Sequence, residues 1–77
     1  MKIIVYGPGC ARCHETERLV REAAAEAAIA ADIEKVSDFA AMAKAGVLTT
    51  PAVAVNGVVK STGRIPSLAE IKAWITG

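Results

Sequence analysis

The apolar positions change period along the chain, and the changes divide it into elements. Ile3-Ile4-Val5-Tyr6 is a continuous apolar run ending at Gly7-Pro8-Gly9. That is the mark of a central strand buried on both faces and followed by a tight loop. From Ala11 to Ala30 there is neither Gly nor Pro, and strong helix formers dominate. Within this stretch Cys13, Thr16, Val20, Ala23, Ala24 and Ala27 recur at steps of three and four, which makes an apolar stripe along one helix face. Glu17, Arg18, Arg21 and Glu22 fall largely outside it. Ala31 to Val36 reads as a second, weaker strand, with Ile33 and Val36 as its apolar positions. Ser37 is the expected N-cap of a short helix, Asp38 is favourable in its first turn, and Gly46 is its C′ residue after Lys44.

The second half alternates more tightly. Ala52-Val53-Ala54-Val55 and Val58-Val59-Lys60-Ser61 flank Asn56-Gly57, a strong hairpin signal with a type I′ turn. Ser67-Leu68-Ala69-Glu70 is a capping box that opens a last helix carrying Ile71, Trp74 and Ile75. Phe39, Met42 and Trp74 are expected in the core. The order is β-α-β-α-β-β-α, and helices are needed on both faces of the sheet. This predicts an α/β, three-layer sandwich. Repeats and linkers are not evident, so residues 1–77 are expected to form one domain.

Composition narrows the function class. The net charge is +1, from nine basic and eight acidic residues mixed along the chain, and only three aromatics are present. A nucleic-acid footprint is not indicated. No run reaches the roughly 18 apolar residues of a membrane span, and Lys2 precedes too short an apolar run for a signal peptide. The expectation is a cytoplasmic protein without a membrane partner. In the cytosol thiols are held reduced, and a disulfide is usually transient and catalytic.

The candidate chemistry is concentrated in Gly9-Cys10-Ala11-Arg12-Cys13-His14, which holds both cysteines and the only histidine. As a string it fits three chemistries: haem attachment, a dithiol redox pair, and a soft-metal loop. Its place between a strand and a helix adds information. Cys10 is expected at or just before the N-cap, where free backbone N–H groups and the helix dipole favour a thiolate, with a smaller contribution from Arg12. Spacing by two residues brings both sulfurs onto one turn. Cys10 can then attack a disulfide, and Cys13, on the apolar stripe, can resolve the intermediate. A purely structural disulfide closing so short a loop would contribute only about 2 kcal/mol. Haem attachment requires export and an axial partner such as Met42. A four-ligand zinc site lacks a ligand. A copper or zinc carrier using the same thiols remains the alternative. His14 is a candidate for tuning the thiols, and Tyr6, ending the first strand, for lining the site.

With "GCARC" after a buried strand, "TTP" (Thr49-Thr50-Pro51) before the hairpin, and this element order, the chain resembles thioredoxin-fold proteins. Its length makes it similar to the minimal, glutaredoxin-like form. Gly57-Val58-Val59 followed by Gly63-Arg64-Ile65-Pro66-Ser67 resembles the small "redox-active disulfide" proteins of bacteria and archaea. The resemblance implies a four-stranded mixed sheet and a thiol–disulfide oxidoreductase. Cys10 and Cys13 would be catalytic, acting on protein or small-thiol disulfides. It implies a cis Pro51 facing the dithiol and a Thr50 whose backbone pairs with an extended substrate segment. Tyr6 and Arg12 complete the expected substrate side. No metal and no organic cofactor is expected. The implied partners are a disulfide-bearing protein and an upstream disulfide reductase, with the chain a monomer. Two family features differ here: Ile4 stands where thioredoxins carry a buried Asp. Ser61-Thr62-Gly63-Arg64 stands where glutaredoxins carry Gly-Gly-x-Asp for glutathione, leaving Arg64 as a candidate anion contact.

Overall fold

The computed structural model describes residues 1–9 and 11–76. The elements run β1 (Lys2–Tyr6), α1 (Ala11–Glu26), β2 (Asp32–Val36), α2 (Phe39–Lys44), β3 (Ala52–Val55), β4 (Val58–Thr62) and α3 (Leu68–Thr76). The four strands form one mixed sheet in the order β2-β1-β3-β4. β1 pairs parallel with β2 and antiparallel with β3, and β3 pairs antiparallel with β4. This is the α/β, three-layer, four-stranded architecture that the sequence and its family resemblance predict.

Alternation along the two central strands sorts the core into two sides. Ile3 and Val5 lie opposite Val55 and Val53, and these four pack with Val20, Ala23 and Ala24 of α1 and Ile71 and Ile75 of α3. On the other face Tyr6 and Ala54 join Ala52, Val47 and Met42 of α2, with Ile4 and Val36 against them. Strands covered on both faces must be apolar at successive positions, which is why β1 and β3 read as unbroken runs. The edge strand β2 instead carries Asp32, Glu34 and Lys35, charges that discourage further strand addition.

The helix boundaries show where local signals held and where they did not. The stripe on α1 is buried at Cys13, Thr16, Val20, Ala23 and Ala24, as its spacing requires. The helix, however, ends at Glu26 and not at Ala30. Ala28 adopts φ 55°, its N–H bonds the Ala25 carbonyl at 3.1 Å, and the Ile29 N–H bonds the Ala24 carbonyl at 3.0 Å. This is a Schellman termination with alanine in the left-handed position. The chain must turn there because Asp32 donates to the Met1 carbonyl to open β2, and Ile29 packs on the core. The N-cap of α2 is Asp38, not Ser37: its backbone is extended and its side chain accepts from the Ala40 N–H. α2 ends as expected, with Gly46 following the Ala45 cap at φ 79°.

Phe39 also departs from expectation. It is 71% exposed, because a helix of six residues lays only Met42 into the core. Trp74 is partly buried against the α1–α3 side. Asn56 and Gly57 both have positive φ, closing the β3–β4 hairpin as a type I′ turn, and Asn56 Oδ1 accepts from the Lys2 N–H. The capping box is reciprocal: Ser67 Oγ accepts from the Glu70 N–H, and Glu70 Oε1 accepts from the Ser67 N–H.

Candidate active site

The carboxyl end of β1 and the first turn of α1 frame the candidate site. Cys13 lies in that first turn and is completely buried. Its sulfur lies over Gly7, the residue just past β1, so closely that a Cβ on Gly7 would run into Cys13 Sγ and come within 3.0 Å of Cys13 Cβ. Gly7 is itself fixed, since its N–H donates to the Val36 carbonyl at 2.9 Å. The absence of a side chain at position 7 is what lets the thiol seat against the strand end. The assignment of Cys10 as N-cap and nucleophile lies outside the described residues.

The Thr50–Pro51 peptide bond is cis. Register places this segment beside the first turn of α1: Ala52 pairs with Tyr6, so Pro51, one residue earlier, runs alongside Gly7. Pro51 is fully buried and Thr50 half-buried, so Thr50 is the member of the pair that reaches solvent. The Pro51 carbonyl accepts from the Gly63 N–H at 2.9 Å, joining the segment to the loop after β4. Arg12, exposed on the first turn of α1, donates from Nη2 to the Gly63 carbonyl at 3.2 Å. Sequence reasoning did not find this contact, because the partners are 51 residues apart and one is a backbone oxygen.

Two other expected participants are placed differently. Tyr6 is 7% exposed and belongs to the core beneath α2, together with Met42 and Val47. Strand alternation turns its ring to the face opposite α1, so it is a core residue and not an open wall for a substrate. Arg64 is held in a two-pronged ion pair by Glu70, at 2.8 and 2.7 Å, and is already occupied as an anion contact. The Arg64 guanidinium and then the Ser67 backbone N–H hold the Glu70 carboxyl down at about 2. His14 is exposed, with Nδ1 3.5 Å from the Lys35 ammonium. Among the described residues, no group of three or more His, Cys, Asp or Glu side chains converges as a metal site.

An α/β sheet of this order, with a buried cysteine opening its first helix beside a cis-proline segment, defines the thioredoxin class of fold. A family model described as "Thioredoxin domain" matches residues 1–76. A thioredoxin of Methanothermobacter thermautotrophicus is 43% identical over 72 residues, covering 94% of each chain. A thioredoxin of Methanocaldococcus jannaschii is 41% identical over 70 residues, covering 91% of this chain and 80% of its own. The chain belongs to the thioredoxin domain family. No helix among the described residues is long and apolar enough to cross a membrane.

Proposed function

We propose that the protein is a cytoplasmic thiol–disulfide oxidoreductase working through Cys10 and Cys13. The Cys10 thiolate attacks one sulfur of a substrate disulfide. The substrate S–S bond breaks, its departing sulfur leaves as a thiolate that takes up a proton, and Cys10 is joined to the other substrate sulfur. Cys13 then loses its proton and attacks Cys10 Sγ, which releases the second substrate thiol and leaves a Cys10–Cys13 disulfide. The substrate gains two electrons and the protein loses two, to be restored by an upstream disulfide reductase. Thr50 would pair its backbone with the substrate strand. The reaction as written requires no metal or organic cofactor.

The observation that carries this reading is the complete burial of Cys13 in the first turn of α1, in a chain of the thioredoxin domain family. A thiol sealed there is out of reach of a protein disulfide. Its attack is confined to a sulfur delivered by a neighbour in its own chain, which is the resolving role. The copper or zinc carrier alternative rests on the same C-x-x-C thiols, but small carriers with such a loop have a β-α-β-β-α-β order. Here α2 stands between β2 and β3, and the last element is a helix, so no observation favours it.

The decisive experiment mixes reduced Cys13→Ser protein with insulin. It is expected to trap a mixed disulfide through Cys10 that dithiothreitol releases, and the Cys10→Ser variant is expected to trap none. An adduct that fails to form, or that forms equally without Cys10, overturns the reading.

A further inference from the structure

We propose that Arg12 is a positioning residue that braces the first turn of α1 against the Thr50–Pro51 segment through Gly63. The inference rests on the proposed function, which makes Thr50 the substrate-pairing backbone.

Arg18, Arg21 and Arg64 each meet a carboxylate on the surface. Arg12 instead donates across the fold to the backbone carbonyl of Gly63. Gly63 is held by one further bond, and Thr49 stands close beside it. Its N–H bonds the Pro51 carbonyl, and the position a Cβ would occupy lies 2.9 Å from Thr49 Oγ1 and 3.3 Å from Thr49 Cβ, at a φ of 74°. A side chain there would have to displace Thr49, and the left-handed backbone favours glycine. Gly63 is therefore a node that bonds Pro51 and faces Thr49, the residues on either side of Thr50, and Arg12 ties the node to the helix that bears Cys13. A protein disulfide must place its sulfur at the dithiol while its backbone pairs at Thr50, so it needs these two places at a set spacing. A small disulfide needs only the sulfur. Arg12 accordingly selects for extended protein substrates by holding that spacing.

The test uses pre-reduced wild type, Arg12→Gln and Arg12→Lys in single-turnover reactions with insulin and with 5,5′-dithiobis(2-nitrobenzoate). One lost hydrogen bond of about 1 kcal/mol corresponds to about a fivefold change in rate. Arg12→Gln is expected to slow insulin reduction about fivefold by that conversion, to slow the small disulfide by much less, and to speed hydrogen exchange of the Gly63 amide in the absence of substrate. Arg12→Lys, whose ammonium still donates to a carbonyl, is expected to restore part of the insulin rate. An equal loss on both substrates with a shifted pH profile of Cys10 alkylation would mean that Arg12 acts on the thiolate, and overturns the brace. So does a selective insulin loss with unchanged Gly63 exchange, which assigns Arg12 a direct substrate contact. Unchanged insulin reduction overturns it as well. A wild type that reduces neither disulfide overturns the proposed function and the brace with it.

Discussion

Replacing Gly7 by alanine adds one methyl group at the tightest point of the candidate site. The new Cβ would run into Cys13 Sγ and stand 3.0 Å from Cys13 Cβ. Neither side can yield freely. Gly7 is anchored by its N–H bond to Val36, and Cys13 is completely buried in the first turn of α1. Overpacking of this kind costs about 1–3 kcal/mol. Against it stands a gain of about 0.4–1 kcal/mol, because alanine restricts the unfolded chain more than glycine does. The net loss is about 1.3 kcal/mol, and at about 4–8 °C per kcal/mol for a chain this small, Tm falls by roughly 5–10 °C. Thermal unfolding of the reduced protein followed by circular dichroism measures it. A double-mutant cycle with Cys13→Ala isolates the cause, since removing the sulfur leaves only the milder Cβ contact. The Gly7→Ala cost is therefore expected to shrink in the Cys13→Ala background by about 0.5 kcal/mol or more. A Gly7→Ala protein as stable as wild type, or strict additivity in the cycle, would refute the steric argument.

Two further outcomes follow from the helix ends. Ala28 holds the left-handed conformation that terminates α1, a backbone state costing an L-residue about 1–2 kcal/mol; less the roughly 0.4–1 kcal/mol that glycine loses through the freer unfolded chain, Ala28→Gly is expected to stabilise the protein by about 0.8 kcal/mol, raising the urea midpoint without changing the m-value. Glu70 titrates well below an ordinary carboxyl because Arg64 and the Ser67 N–H bind its charged form. Its contribution to folding is therefore present above the unfolded value of about 4.3 and is lost as the pH falls toward about 2. Urea titrations across that window are expected to show a shallower loss of stability for Glu70→Gln than for wild type, and parallel curves would contradict the role of the Arg64–Glu70–Ser67 cluster.

The elements readable in advance are those whose causes are local. Asn56-Gly57 specifies its turn because those two residues tolerate positive φ, and Ser67 with Glu70 specifies a helix start because each side chain reaches the other's N–H. The stripe from Cys13 to Ala24 is likewise a property of one helix. Helix α1 ends early because an alanine, carrying no turn signal, is driven left-handed by the need to start β2 beside Met1. Phe39 is exposed because α2 is too short to bring a second large side chain into the core.

At the candidate site the division is the same. From the string alone come the C-x-x-C spacing, the strand before it and the helix after it, because these depend on neighbours within one or two turns. That Gly7 must lack a side chain, that Tyr6 faces α2, and that Arg12 reaches Gly63 depend on which strand lies beside which. Register brings Pro51 alongside Gly7, and it brings a residue of the first helix to a carbonyl 51 positions later. Such contacts carry no period in the sequence, since they are made by packing between segments that meet only once the sheet has assembled.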